Sequence, residues 1–257
     1  MVWRRLAALL IPGLLFAGCI GVGPGEYPIS VGMELGGWEV TNHFEKDSDN
    51  NTEEDLGELN LRFMAESNIN ATIVEYWFEP GDGSEIKHLL ASEGDTISHT
   101  YSGYGAFMSK RGVIDSEGNE DAFPYSVHDW PALIRHAAYY MNESSVDEPA
   151  DIFIDPPNPN SVGSPEYIHI ESRIANIWGL PLLSEPVDIT WELINPNGEI
   201  VETHTETIQG GDDYTWELFH YGPERGSWSL VVESSGDASL NQDTTFNVRY
   251  DGFMYEP

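Results

Sequence analysis

The chain has 257 residues, of which 40% are hydrophobic and 12% aromatic, which is enough for a packed core and argues against a disordered acidic polymer. Its 44 Asp and Glu residues outnumber 11 Lys and Arg, and a surface with a formal net charge of −33 argues against nucleic acid as a partner. A single cysteine excludes an internal disulfide framework and a site built from several thiolates.

The first nineteen residues have the pattern of an export signal that ends in the cysteine. Arg4 and Arg5 precede the uncharged run LAALLIPGLLFAG, whose thirteen residues are fewer than the roughly 20 that span a bilayer. The stretch LFAGC resembles the lipobox of prokaryotic lipoproteins. That resemblance implies a signal peptide over 1–18, lipidation of the Cys19 thiol, and an extracytoplasmic protein anchored to the membrane. The alternative is a plain signal peptide with a chance cysteine.

Strand signals dominate after a Gly- and Pro-containing tether over 19–30. Leu59, Leu61 and Phe63 alternate with polar neighbours, as expected for a half-buried strand. The predicted strands cover 33–40, 59–65, 71–78, 95–101, 105–114 and 122–128, with turn-forming clusters at 80–84, 92–95 and 115–120.

An acidic stretch, DSDNNTEEDLGE over 47–58, carries the oxygen ligands of a twelve-residue calcium loop. The candidate ligands are Asp47, Asp49, Asn51, Glu53, Asp55 and Glu58. Against calcium, Thr52 stands where the sharp turn of such a loop needs Gly, and the flanks predict strands where the loop has helices. The alternative is a solvated acidic loop between the first two strands. Calcium is the only cofactor that the sequence suggests.

Three stretches of the first strand set, YWFEPGDGS (76–84), HTYSGYG (99–105) and VIDSEGNE (113–120), resemble the polycystic kidney disease (PKD) repeat. The matching residues are Tyr76, Gly81, Asp82, Gly83, Ser84, His99, Thr100, Tyr101, Asp115, Gly118 and Asn119. Phe78 stands where the family has Trp, and Pro80 where it has Phe. The resemblance implies an Ig-like β-sandwich over 31–128 in which the motif is structural. It also implies a role in spacing, adhesion or contact with protein or carbohydrate, without catalysis.

Residues 129–166 predict a connector between two strand sets. Asp129 is a candidate N-cap and Pro131 suits a first helical turn, so 129–142 predicts a short helix, with a strand as the alternative. The prolines of 147–166 predict an extended, irregular segment.

A second strand set begins at Tyr167, where Ile168 and Ile170 share a face. Asn197-Gly198 predicts a hairpin turn. The predicted strands cover 167–177, 187–194, 199–208, 213–221, 226–234 and 244–253. The predicted fold is therefore all-β, with two Ig-like antiparallel β-sandwiches in series, 31–128 and 167–257, after a lipoprotein signal peptide.

No catalytic pattern stands out in the chain. The eight histidines form no His-x-x-x-His pair, and Gly-x-Ser-x-Gly is absent from the sequence. We therefore expect a protein that is not an enzyme. A hydrolase with two close carboxylates ranks last among the alternatives, because 44 acidic residues offer too many pairs to single one out.

The expected function is a structural, adhesion or interaction role for a lipid-anchored surface protein. Its partners would be the membrane, through the lipid, and a surface protein or polysaccharide. The alternative is a carbohydrate-binding or enzyme-accessory lipoprotein, which an exposed platform of aromatic rings on one sheet face would favour. Trp191, Trp216 and Trp228 are candidates for such a platform, although a Trp on an alternating strand more often lies in the core.

Overall fold

A computed structural model describes residues 29–35, 39–46, 52–67, 70–120, 131–145, 150–162, 164–177, 185–235 and 240–250. All regular elements within these ranges are β-strands, which confirms the predicted all-β class. The predicted signal segment with Cys19, the predicted strand over 122–128 and the candidate ligands Asp47, Asp49 and Asn51 lie outside the described residues.

The strands follow the chain in this order: β1 (Ile29–Leu35), β2 (Glu39–Lys46), β3 (Thr52–Leu56), β4 (Glu58–Ser67), β5 (Ile73–Glu79), β6 (Lys87–Leu90), β7 (Thr96–Thr100), β8 (Ala106–Met108), β9 (Lys110–Asp115), β10 (Pro131–Ser145), β11 (Ile152–Ile154), β12 (Tyr167–Asn176), β13 (Val187–Ile194), β14 (Ile200–Ile208), β15 (Asp213–Tyr221), β16 (Trp228–Ser234) and β17 (Leu240–Arg249). They form sheets of order β1-β4-β7, β6-β5-β9, β11-β16-β13-β14 and β15-β12-β17-β10-β2-β3, and β8 pairs with β10 at the side of the last of these. We call that last one the seven-stranded sheet.

The first core lies between the sheets β1-β4-β7 and β6-β5-β9. Leu59, Leu61 and Phe63 of β4 point into it and are at most 2% exposed, as their alternation predicted. They face Tyr76 and Phe78 of β5, and the rings of Phe63 and Tyr76 stack with centroids 5.0 Å apart. Burial of this apolar face stabilises the first sandwich.

The second core lies between the sheet β11-β16-β13-β14 and the β15-β12-β17 side of the seven-stranded sheet. Ile168 and Ile170 of β12 are fully buried in it, which confirms their predicted common face. Trp191, Leu230 and Phe246, from three other strands, are likewise 0% exposed. The alternate side chains of the same strands therefore point to solvent.

The short helix predicted over 129–142 is wrong, because Pro131–Ser145 forms strand β10. It pairs in parallel with β2 on one side and antiparallel with β17 on the other. A strand with neighbours on both sides satisfies its backbone groups through the sheet, and this tertiary pairing outweighs the local capping signal at Asp129.

The seven-stranded sheet contains strands from both sides of the predicted connector. β2, β3 and β8 come from the first strand set, whereas β12, β15 and β17 come from the second. Within β2, Val40 is buried in the first core and Phe44 in the second. The seven-stranded sheet therefore joins strands of both predicted sandwiches.

The hairpin predicted at Asn197-Gly198 is confirmed by the antiparallel pairing of β13 and β14. Gly198 has φ +81°, a backbone conformation that glycine adopts without steric cost. Asn195 fixes the turn, because its side-chain oxygen accepts hydrogen bonds from the backbone N–H groups of Asn197 (3.0 Å) and Glu199 (2.9 Å).

Candidate functional site

Several of the PKD-like residues meet in the turn after β5. Gly81 has φ +82°, and a Cβ there would lie 2.0 Å from the backbone oxygen of Met108, so only glycine fits. Asp82 accepts a hydrogen bond from the backbone N–H of Ser84 at 3.0 Å, and its other oxygen lies 2.9 Å from Nε2 of His99. The turn is thus bonded to β7 through a carboxylate.

The Asp82–His99 pair is buried, with the two side chains 6% and 5% exposed respectively. Burial by itself would raise the pKa of Asp82, but hydrogen bonds from Ser84 and the pairing with His99 outweigh it and hold the pKa below its ordinary value. Tyr101 packs edge-on against His99 at 4.4 Å and donates a hydrogen bond to the backbone oxygen of Pro80 at 3.1 Å. These contacts fit a structural role for the motif, and the resemblance to PKD repeats stays a prediction.

Two further members of that set also lie in turns. Gly83 has φ +91°, and Asp115 organises the turn after β9. The carboxylate of Asp115 accepts bonds from the backbone N–H of Glu117 and from both the backbone and side-chain nitrogens of Asn119, each at 2.9 Å. The side-chain bond from Asn119 contributes most to a lowered pKa of Asp115.

The described members of the predicted calcium loop lie on two different sheets. Glu53 and Asp55 belong to β3, at the edge of the seven-stranded sheet, whereas Glu58 belongs to β4 in the first sandwich. Residues Thr52–Leu56 pair with β2 as an extended strand, so this part of the stretch is not a loop. The calcium hypothesis itself stays a prediction, because half of its ligands lie outside the described residues.

The three tryptophans considered for a sugar platform are buried instead. Trp191, Trp216 and Trp228 are 0%, 8% and 4% exposed. The indole N–H of Trp191 donates to Ser172 Oγ at 3.0 Å, and that of Trp228 donates to the backbone oxygen of Glu224 at 2.9 Å. These rings form the second core and offer no binding face.

Four other rings lie together on the outer face of the seven-stranded sheet, and we call them the ring platform: Tyr167, His169, Phe219 and Tyr221. They come from β12 and the edge strand β15, where Tyr167 lies opposite Tyr221 and His169 opposite Phe219. Tyr221 is 69% exposed and Phe219 44% exposed.

Three of the platform rings stack with nearly parallel planes, and the fourth is tilted. His169 and Phe219 stack with centroids 4.1 Å apart and an interplanar angle of 14°, and Phe219 and Tyr221 lie 6.3 Å apart at 19°. Tyr167 is tilted beside both of them, at 5.7 and 5.9 Å. Nε2 of His169 lies 3.1 Å from the exposed carboxylate of Glu217. The result is an exposed apolar cluster of stacked rings with a polar border.

Sequence reasoning missed this platform, although part of its signal is in the sequence. Tyr167 and His169 alternate with the buried Ile168 and Ile170, so they had to point away from the core. The sequence does not show that β12 pairs with β15. In that pairing His169 lies opposite Phe219, which is fifty residues later in the chain.

An open groove of about 540 Å³ lies on the same sheet, towards its β3 edge. It is lined by His43, Glu45, Glu53, Glu54, Asp55, Thr245 and Asn247. Asn247 lies directly opposite His169 in the pairing of β17 with β12, so the groove adjoins the ring platform.

Within the described ranges, no group of three or more His, Cys, Asp or Glu side chains is arranged to hold one metal ion. The part of the chain that the structure covers also has no helix long and apolar enough to cross a membrane.

Comparisons with known proteins assign the chain to no family. No protein-family model matches the chain, and no curated protein does. Among solved structures, a carbohydrate-binding module of the β-sandwich superfamily is 12% identical, with 88% of this chain and 98% of that chain covered and a TM-score of 0.27. PorU from Porphyromonas gingivalis is 10% identical over 74% of this chain and 18% of that chain, with a TM-score of 0.29. The VP2 protein of infectious bursal disease virus is 12% identical, covering 80% and 63% of the two chains, with a TM-score of 0.27. At such scores these neighbours assign neither family nor function.

Proposed function

We propose that the protein is a polysaccharide-binding surface protein, and that the ring platform is its binding face. The observation that carries this proposal is the exposure of Phe219 and Tyr221 side by side on one sheet face, at 44% and 69%. Burying a large aromatic side chain stabilises a fold by about 1.5–3 kcal/mol, so two exposed neighbouring rings forgo that gain. Exposed apolar patches with a polar border mark binding sites on soluble proteins.

The shape and chemistry of the platform suit a sugar ring. The flat face of a pyranose presents C–H groups that pack against an aromatic face, while its hydroxyls need hydrogen-bonding groups at the rim. The exposed rings of Phe219 and Tyr221 supply the aromatic surface. Glu217 and Asn247 border it and can accept and donate hydrogen bonds to hydroxyls.

A protein partner fits this surface less well. The centre of a protein–protein interface is depleted of charged residues. Here the cross-strand pair next to His169 and Phe219 consists of two exposed carboxylates, Glu171 and Glu217. A hydroxyl-rich ligand can hydrogen-bond these groups without stripping them of water.

The test is affinity electrophoresis in gels that contain a panel of soluble neutral polysaccharides. We expect the wild type to be retarded by at least one of them, and Phe219→Ala and Tyr221→Ala each to weaken that binding roughly five- to tenfold, through lost ring stacking. The matched control is Phe153→Ala on β11, which removes another exposed ring, 53% accessible, from a different sheet. Equal loss in this control, or no retardation of the wild type by any polysaccharide, would contradict the proposal.

We also propose that the mature chain is attached to a membrane through a lipid on Cys19, because LFAGC resembles a lipobox. Intact mass measurement and membrane fractionation from the native host would test this, beside Cys19→Ser. We expect the wild type to begin at Cys19, to carry acyl chains and to sediment with membranes, and the variant to be released or unprocessed. An unlipidated, soluble wild type would contradict the anchor and leave the sugar-binding proposal intact.

A further inference from the structure

Two rows of residues cross the outer face of the seven-stranded sheet from the ring platform to the groove. In register order from β3 to β15, the first row carries Asp55, His43, Asn247, His169 and Phe219, and the second carries Glu53, Glu45, Thr245, Glu171 and Glu217; both rows cross β10 between β2 and β17. Positions directly opposite on neighbouring strands share a face of the sheet, and the two rows are two residues apart, so they run side by side.

The second row is lined with carboxylates. Glu45 lies opposite Glu53, and Glu171 lies opposite Glu217; each of the four is exposed. Like charges directly opposite each other destabilise a sheet. Two such pairs on one face therefore indicate a surface whose electrostatic repulsion is relieved when a positively charged group lies between the carboxylates.

The described lysine and arginine residues of this face lie outside the two rows, whereas His43 and His169 lie in the first row, and Nε2 of His169 is 3.1 Å from Glu217. Arg173 is one position further along β12 than Glu171 on the same face, and it is already paired with Asp213 at 2.6 Å. Arg249 lies opposite Tyr167, on the other side of the platform. Neither of them stands between the two rows.

The carboxylates are spread along the sheet and do not converge on one point. Strands lie about 4.8 Å apart, so the five steps from β3 to β15 span about 24 Å, the length of several linked sugar units. No set of three acids among the described residues is suited to hold a single metal ion. The arrangement therefore fits a chain with repeated positive charges better than one cation.

Resting on the proposed polysaccharide function, we propose that the ligand is a polysaccharide with free amino groups, and that it crosses the strands along these two rows. Its sugar units pack against the exposed surface of Phe219 and Tyr221, and it continues past His169 and Asn247 into the groove. Its ammonium groups lie beside the two carboxylate pairs, where each can donate charge-assisted hydrogen bonds. Polysaccharides that carry carboxylates or sulfates are repelled by the same rows.

The experiment compares two hexasaccharides of one backbone, β-linked glucosamine and its fully N-acetylated counterpart, by calorimetry near neutral pH. We expect the wild type to bind the amino form more tightly. In Glu45→Gln/Glu53→Gln, affinity for the amino form falls about tenfold or more, while affinity for the acetylated form changes less than about twofold. Raising the salt concentration weakens binding of the amino form alone.

A matched double variant separates a specific site from general attraction to an acidic protein. Glu192→Gln/Glu233→Gln makes the same charge change on the outer face of the sheet β11-β16-β13-β14. We expect it to bind both hexasaccharides like the wild type. An equal loss in this control, or equal affinity of the wild type for the two sugars, overturns the inference.

Failure of the inference is distinguishable from failure of the proposed function. If Phe219→Ala weakens binding of a neutral polysaccharide roughly five- to tenfold while the amino group adds nothing, the platform stands and the amino-sugar inference falls. If the wild type binds neither hexasaccharide nor any neutral polysaccharide, both fall. The urea midpoint of each variant is measured beside the affinities, so that a folding defect is not counted as lost binding.

Discussion

At the scale of single residues, Asp82 is a buried carboxylate that joins a turn of the first sandwich to β7. It is 6% exposed and bonded to Ser84 and to His99, and these partners hold its pKa below the ordinary value despite burial. A carboxyl whose pKa is lower in the folded than in the unfolded chain adds stability above the unfolded pKa, near 3.9, and loses it as the pH falls through the folded pKa.

We therefore expect Asp82→Asn to lower the free energy of unfolding at neutral pH by about 1–3 kcal/mol, because hydrogen bonds to a charged group are replaced by neutral ones. The difference from the wild type should shrink at pH values below about 4, where the wild-type carboxyl takes up its proton. Urea denaturation at both pH values measures this. Asp95→Asn is the control, since Asp95 also has a lowered pKa, mainly from Arg62, but its side chain is 45% exposed and should matter far less. A constant difference across the pH range would contradict the account.

At the scale of strands, local patterns predicted the elements that neighbouring residues determine. They did not predict the element whose conformation depends on pairing with distant strands. The alternation around Leu59 and around Ile168 predicted strands with a buried face, and both residues are buried. Asn197-Gly198 predicted its own hairpin. By contrast, β10 was predicted as a helix, because its place between β2 and β17 depends on residues about a hundred positions away on either side.

The same limit explains why the ring platform and the groove could not be predicted from the sequence as one site. Phe219 and His169 were both readable as solvent-facing residues of alternating strands. Their stacking at 4.1 Å depends on the register of β12 with β15. The two rows that lead to the groove need four further pairings, including the parallel one between β2 and β10, which no local turn specifies.

At the scale of the whole molecule, the two cores share strands and are joined by buried polar contacts. β2 carries Val40 into the first core and Phe44 into the second. Between them Asn42 is fully buried, and its side chain donates to the backbone oxygens of Tyr101 (2.9 Å) and Gly103 (2.6 Å).

A second junction reinforces the first. Asn160 donates to the backbone oxygen of Asp82 at 2.8 Å, which ties the connector to the turn of the first sandwich. The neighbouring Ser161 accepts at Oγ from the backbone N–H of Ala106 at 3.0 Å and at its backbone oxygen from Arg225 at 2.8 Å. The segment predicted as an irregular connector therefore holds the two sandwiches together through hydrogen bonds on both sides.

Because the cores share a strand and these bonds, we expect them to unfold together. A chain of this size often unfolds in several steps, so a single calorimetric transition, with equal van't Hoff and calorimetric enthalpies, is a specific expectation. Asn42→Ala should lower stability by about 1–3 kcal/mol or more, because it leaves buried backbone groups without their hydrogen bonds. Asn241→Ala, at an exposed position of β17, should change it by less than about 0.5 kcal/mol. If the wild type shows two transitions, and Asn42→Ala shifts only one of them, then the shared strand does not couple the cores, and each sandwich folds as an independent domain.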